Sequence, residues 1–358
     1  MPYQKNKILL NQKLAAEFIA SRFKKYWPDA EKVLAVKIDI LKNFLGYLRF
    51  TLRYRIFIKN NRGKIEEKNI IIKTERPKHF AWPPRIGTVE KDFLATRFLV
   101  KNGLAAILPH PLEFYAPLWA YLYEEVRGTT LKNFVQTENW RSNLFFKNIP
   151  ATVHALKKIH AIKKKPRFAN GDHKKSIRNV FFEWLGLIKK YYPAGLSRAE
   201  KIVGSLQKLE KKYQNILFNQ KTYRVTHGDF QSDNIIIGDN GKIIFIDFAD
   251  CKFFNPLDDL ASFLVQAEMH FKYVRPKNFK ELTQKLKKIT YAAYFGKKMK
   301  PRDALQIDFF AAKDTLRIIT FISFTLRAWQ TIHDHNKMTD SLLTFAEEKI
   351  KNLERKYL

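Results

Sequence analysis

The chain has one cysteine, Cys251, in 358 residues. That excludes an internal disulfide and fits a reducing compartment. Standing beside the most informative stretch of the sequence, Cys251 reads as a packing residue rather than a nucleophile. No apolar run reaches the roughly 18 residues that a membrane-spanning helix needs. The nearest, residues 318–326, is short and ends against Arg327. The first residues lack a long apolar core and a small-residue cleavage site, so no signal peptide is expected and a cytoplasmic location follows. Acid is scarce, with 34 Asp and Glu against 66 Lys and Arg and a net charge of +32. Such an excess attracts nucleic acid or anionic membrane. Here it is spread along the whole length, as biased base composition also spreads it. No zinc-ligand spacing and no basic-aromatic stacking motif accompanies it. No specific nucleic-acid partner is therefore expected, while peripheral contact with anionic membrane stays compatible with the charge. Internal repeats, low-complexity tracts and long flexible linkers are absent as well.

What is present is a chain 46% hydrophobic and 14% aromatic, a composition that folds rather than stays disordered. The length allows two lobes with separate cores. The stretch most dense in chemistry runs over residues 226–261. His227-Gly228-Asp229 is followed five residues after the Asp by Asn234. Two short apolar runs, residues 234–237 and 242–246, flank Gly238-Asp239-Asn240-Gly241, which is hairpin chemistry. The second run leads into Ile246-Asp247-Phe248. The hairpin is expected to bring Asn234 and Asp247 to one end, where with Asp229 they would form a set of hard oxygen donors. Mg²⁺ takes such ligands and completes its shell with phosphate and water. Asp and Asn before strands also serve simply as turn caps. Three such elements in order, with a hairpin between them, favour phosphoryl transfer.

The stretch resembles the aminoglycoside phosphotransferase/choline kinase family, the small-molecule branch of the protein-kinase-like fold. That family carries H-G-D-x-x-x-x-N, then I-D-[FW], then P-x-x-D-L-A. This chain has His227-Gly228-Asp229 with Asn234, then Ile246-Asp247-Phe248, then Pro256 with Asp259-Leu260-Ala261. The Gly after His, where protein kinases usually carry Arg, favours small-molecule acceptors. The resemblance spans residues 40–330, strongly at 226–261 and diffusely elsewhere. It implies an α+β, bilobal protein-kinase-like fold. The N-terminal lobe, with an antiparallel sheet plus helix, is expected over residues 1–125, with an extra helix in 1–30. The larger, mostly helical lobe, carrying the catalytic loop, the metal-binding hairpin and the acceptor pocket, is expected over 126–358.

Pattern supports this order. Residues 1–27 show helical periodicity at Leu9, Leu10, Leu14, Ala15, Phe18 and Ile19. Residues 33–38 and 46–58 alternate as half-buried strands, Asn60 to Gly63 forms a turn, and a strand returns over 66–73. A Pro-rich link, 77–84, precedes a helix over 90–99. Residues 121–128 read as a strand entering a Gly turn. Beyond lie helical segments at 153–160, 170–222, 258–270, 303–330 and 339–356, with a strongly basic stretch at 271–302.

The resemblance also implies roles. Lys73, closing an apolar strand, matches the kinase lysine on the donor phosphates; a snorkelling surface lysine fits the pattern too. Glu90 is expected to pair with it, with Asp92 the alternative; an acid at a helix start is also favourable by itself. Backbone groups near Glu124 and Val126 match the hinge that meets the adenine. Asp229 is the expected catalytic base, and Asn234 and Asp247 the Mg²⁺ ligands, with ATP (GTP possible) as donor. His227 is expected to brace the loop and His160 to be structural. Asp259 either reaches the catalytic loop or caps a helix. His333 and His335, lacking a third ligand, do not read as a metal site. Departures are the single Gly46 where kinases have a Gly-rich loop, Ala249 after Asp247-Phe248, and Asn255 before Pro256.

The function implied is transfer of the γ-phosphoryl group of ATP to a hydroxyl of a small molecule: a sugar, an amino alcohol, an aminoglycoside-like or a lipid-linked acceptor. The scarcity of acid over 262–302 argues mildly against polycationic acceptors. The rival reading is a catalytically degenerate kinase-like scaffold that binds anionic membrane or nucleic acid through its basic surface. Oligomeric state is not legible.

Overall fold

The computed structural model describes residues 7–44, 49–74, 88–136, 143–169, 173–274, 277–329 and 335–358. The principal helices are α1 (Gln12–Ala20), α2 (Thr88–Leu99), α3 (Leu144–His160), α4 (His173–Tyr191), α5 (Leu196–Leu217), α6 (Leu257–Val274), α7 (Phe279–Phe295), α8 (Pro301–Trp329) and α9 (His335–Tyr357). The strands used below are β1 (Ala30–Phe44), β2 (Arg49–Asn60), β3 (Ile65–Thr74), β4 (Pro111–Tyr115), β5 (Ala120–Glu124), β6 (Arg224–Thr226), β7 (Ile235–Gly238), β8 (Ile243–Phe245) and β9 (Lys252–Phe254). The chain divides into two compact units, Met1–Gly128 with Gly238–Asp250, and Thr129–Ile237 with Cys251–Leu358. The stretch Gly238–Asp250, expected in the C-terminal lobe, thus clusters with the N-terminal residues.

The first unit is a five-stranded antiparallel sheet in the order β1-β2-β3-β5-β4. Alternation in β2 decides which side is covered. Leu52, Tyr54, Ile56 and Ile58 are buried, while the residues between them are partly exposed, as the period of two requires. On that face α1 packs through Ala15 and Ile19. Asn11 caps α1, its side-chain oxygen accepting from the N–H of Lys13 (3.0 Å) and Leu14 (3.1 Å). Tyr54 Oη donates to the Leu9 carbonyl. The β2–β3 turn is held by Asn60 Oδ1, which accepts from the N–H of Arg62 and of Lys64, both at 3.0 Å.

In β3 the alternation breaks down, because Ile70, Ile71 and Ile72 are all buried. Ile70 and Ile72 face the α1 side. Ile71 instead joins Val89 and Phe93 of α2 and Tyr121 and Tyr123 of β5. A strand covered on both faces reads as a continuous apolar run, and this one does. The period of two then puts Lys73 on the same face as Ile71, towards α2.

The second unit is mostly helical. Its core includes Phe218, Phe254, Phe309 and Phe310, with ring centroids 5.6 Å apart for Phe254–Phe310 and for Phe309–Phe310. The aromatics of α4 and its end belong to this interior, with Phe181, Trp184 and Tyr192 buried and Phe182 exposed. Cys251 is buried. The basic stretch 271–302 contains a helix not expected from its composition, α7, which buries Leu282, Thr283, Leu286 and Thr290. That spacing of about four residues is an inward helical stripe. Among the described residues, no helix is long and apolar enough to cross a membrane.

Candidate functional site

The second unit holds the H-G-D loop. β6 pairs antiparallel with β9 through Val225 opposite Phe253 and ends on Thr226. The chain then turns at Gly228, whose φ of +85° is left-handed backbone that a side chain resists. This turn is anchored from α6. Asp259 Oδ2 accepts the His227 N–H at 2.7 Å and its Oδ1 accepts the Gly228 N–H at 2.8 Å. His160 Nε2 lies 2.9 Å from the same Oδ2, and its Nδ1 lies 2.9 Å from Tyr294 Oη. Asp259 is 1% exposed. It reaches the loop rather than only capping its own helix, and His160 bears on the loop through it. The capping role falls to Asn255, whose Oδ1 accepts the Leu257 N–H at 3.0 Å.

Past Gly228 the Asp229 carboxylate accepts from Gln231 Nε2 at 2.9 Å and from Asn234 Nδ2 at 3.2 Å, both on Oδ2. The same Asn234 nitrogen donates to the Asp229 carbonyl at 2.9 Å. Asn234 is 6% exposed. With its amide nitrogen committed to Asp229, its carbonyl oxygen is the side-chain atom of a kind that hard cations accept. His227 is buried, its ring edge-on to Phe230 at 5.9 Å, in keeping with a bracing role.

Arg317 of α8, which the motif reading missed, places Nη1 3.1 Å from Asp229 Oδ1. Asp314, one turn earlier, accepts from Arg317 Nε at 2.5 Å and from Nη2 at 3.3 Å. Nothing local in the sequence marks it. Only the i, i+3 pairing of Asp314 with Arg317 hints that the side chain is held.

The first unit holds a second cluster. Lys73 Nζ lies 2.9 Å from Asp92 Oδ2 and 3.3 Å from Asp247 Oδ1. The other Asp92 oxygen accepts the Phe248 N–H at 2.8 Å. The partner of Lys73 is therefore Asp92 and not Glu90, a correction that helix geometry explains. Val89, Asp92, Phe93 and Thr96 form the buried stripe of α2, at the i, i+3, i+4, i+7 spacing of one face. Glu90 lies outside that stripe and is only partly buried. Burial alone would lower the Lys73 pKa. The Asp247 and Asp92 carboxylates outweigh it and hold the ammonium well above the ordinary lysine range. Asp92, cut off from water and beside a second carboxylate, is itself pushed up even with Lys73 against it.

Asp247 has φ +68°. Asp tolerates that region better than most residues, and held strain of this kind gathers at functional positions. Its side chain is 44% exposed, against 3% for Asp92. One carboxylate is thus buried against the lysine, while the other contacts it from a half-exposed position. The turn before Asp247 is closed by the Gly238 N–H donating to the Lys242 carbonyl at 2.8 Å, with Gly241 at φ +75°.

In β5 the Glu124 N–H donates to the His110 carbonyl at 3.0 Å, and the next N–H, of Glu125, to the Asn69 carbonyl at 2.9 Å. Gly46, the glycine of the expected phosphate loop, the Pro-rich link 77–84 and His333 lie outside the described residues. Among the described residues no group of three or more His, Cys, Asp or Glu gathers as a metal site.

An antiparallel sheet with helices packed on it in the first unit and a helical second unit bearing an anchored H-G-D loop define a protein-kinase-like fold. Residues 103–280 match the model of the phosphotransferase enzyme family. Solved structures share the fold at low identity. Choline kinase from Streptococcus pneumoniae is 14% identical with a TM-score of 0.60, covering 95% of this chain and 98% of that one. Plasmodium vivax ethanolamine kinase is 14% identical with a TM-score of 0.59, covering 96% and 93%. An amicoumacin kinase in complex with AMP-PNP and Ca²⁺ is 15% identical with a TM-score of 0.57, covering 95% and 96%. Among curated proteins, no sequence matches this chain.

Proposed function

We propose that the protein is a phosphotransferase that moves the γ-phosphoryl group of ATP, with GTP as an alternative donor, to a hydroxyl of a small molecule. The observation that carries this reading is the Lys73–Asp92–Asp247 cluster. It supplies a charged lysine and an exposed carboxylate, the pair that donor phosphates and their cation require. The solved relatives that hold AMP-PNP with Ca²⁺, or AMP, add support for a nucleotide.

Lys73, kept protonated by its two carboxylates, grips the donor phosphates, and Asp92 fixes its direction. The adenine is read by the backbone after β5, through the Glu124 carbonyl and the Val126 N–H. The oxygen donors Asn234 and Asp247 suit Mg²⁺ and would hold it. Bound there, it would neutralise charge on the phosphates. Asp229 receives the acceptor hydroxyl in a hydrogen bond and takes its proton as the oxygen attacks the γ-phosphorus. The bond from that phosphorus to the β-bridging oxygen breaks and ADP leaves. Asp259 keeps the H-G-D backbone in place, so the chemistry is mostly positioning and charge stabilisation.

Mg²⁺-dependent ADP formation over a panel of hydroxylated metabolites tests the reading. Thermal stabilisation by ATP that needs Mg²⁺ separates it from a degenerate scaffold, which would show none.

A further inference from the structure

The guanidinium at the proposed base has no part in the mechanism above. Asp229 is already oriented from within its own loop, by Gln231 and Asn234 at 2.9 and 3.2 Å. Arg317 arrives from a helix 88 residues away in sequence and takes the other carboxylate oxygen. Its direction is set from behind by Asp314, itself 4% exposed. The neighbouring acid of the loop is treated alike, since Asp233 lies 2.8 Å from Lys132 Nζ. Both acids of the loop are therefore paired with cations from other elements. A cationic acceptor approaching Asp229 would meet a fixed positive charge within hydrogen-bond distance of the oxygen it needs. An acceptor with an anionic group beside its hydroxyl would meet a planar guanidinium whose five N–H donors outnumber the three bonds it makes to Asp314 and Asp229, a group suited to carboxylate or phosphate.

We propose that Arg317 is the specificity-determining residue for the acceptor, and that the acceptor is a small hydroxy acid or hydroxy phosphate. The anionic group bonds the Arg317 guanidinium while the adjacent hydroxyl bonds Asp229. This rests on the phosphotransferase reading for the step it serves, but the binding it asserts can be measured without turnover. The shared chemistry is an anion two or three bonds from a hydroxyl. Glycerate and glycerol 3-phosphate represent its two forms, glycerol is the neutral control, and choline and ethanolamine are the cationic ones.

The test uses the full chain with Mg²⁺ and a non-hydrolysable ATP analogue. Calorimetry gives acceptor affinities, and ADP release with ATP gives kcat/KM. Wild-type protein is expected to favour one of the two anionic probes over glycerol, choline and ethanolamine by about tenfold or more. Arg317→Gln is expected to remove that preference, with glycerol and nucleotide affinities within about threefold of wild type. Arg317→Lys, which keeps the charge but not the fork, restores part of it. The double variant Arg317→Gln, Asp314→Asn spares the fold a lone buried carboxylate and is expected to behave as Arg317→Gln. A merely structural arginine would lower all acceptors together and leave the anion-to-neutral ratio unchanged. That result, a preference for choline or ethanolamine, or no binding of either anion would overturn the assignment. Arg317-dependent anion binding without phosphorylation of any probe would sustain it and refute phosphotransfer instead.

Discussion

Lys73 is shared between two carboxylates of unlike exposure, Asp92 at 2.9 Å and Asp247 at 3.3 Å. The buried one also accepts the Phe248 N–H, so Asp92 ties the lysine strand, helix α2 and the Asp247 segment together. Asp92→Asn is expected to cost about 3–5 kcal/mol of stability, as breaking a buried pair does. It should also lower kcat/KM for ATP about 100-fold. Glu90→Gln, outside the buried stripe, is expected to change stability by no more than about 0.5 kcal/mol. Urea melts and initial rates of both variants check this.

Asp259 carries the H-G-D backbone on two charge-assisted hydrogen bonds of 2.7 and 2.8 Å. Asp259→Asn leaves one oxygen for two N–H donors. The expected loss is about 1–3 kcal/mol, with a fall in transfer rate and little change in nucleotide affinity. Thermal melts and nucleotide titration of the variant measure the two effects separately. His160→Gln, which acts only through Asp259, is expected to lose less.

Asp258 is buried between Lys252 Nζ at 2.6 Å and Lys313 Nζ at 2.5 Å. Burial alone would raise its pKa, but the two ammonium groups hold it well below the carboxylate range. A carboxylate depressed by folding adds stability above its unfolded value, about 3.9, and loses it as pH falls towards the folded value. Wild-type stability is therefore expected to drop below about pH 4 in part through this group. Asp258→Asn should be less stable at neutral pH and flatter across the acid range, as urea melts at stepped pH would show.

How much was legible follows from the range of each interaction. Asp229, Asn234 and the turn up to Asp247 lie close in sequence, and their spacing is itself the signal. Lys73 was legible because β3 ends as a buried run. Glu90 and Asp92 are two residues apart, and what decides between them is which position shares a face with Val89 and Phe93, a matter of tertiary burial. Arg317 meets Asp229 across 88 residues, and one arginine among 66 basic residues announces nothing. Helix α7 was hidden likewise, its thin stripe of Leu282, Leu286 and Thr290 set among lysines that dominate the composition.

The central claim concerns Asp229 and Asp247, and one experiment addresses it directly. Mg²⁺-dependent ADP formation should be measured with wild-type protein, Asp229→Asn and Asp247→Ala in the presence of an accepted hydroxyl compound. Both variants are expected to lose activity by about 100-fold or more, with wild-type folding retained by circular dichroism. Turnover close to wild type in either variant would contradict the account.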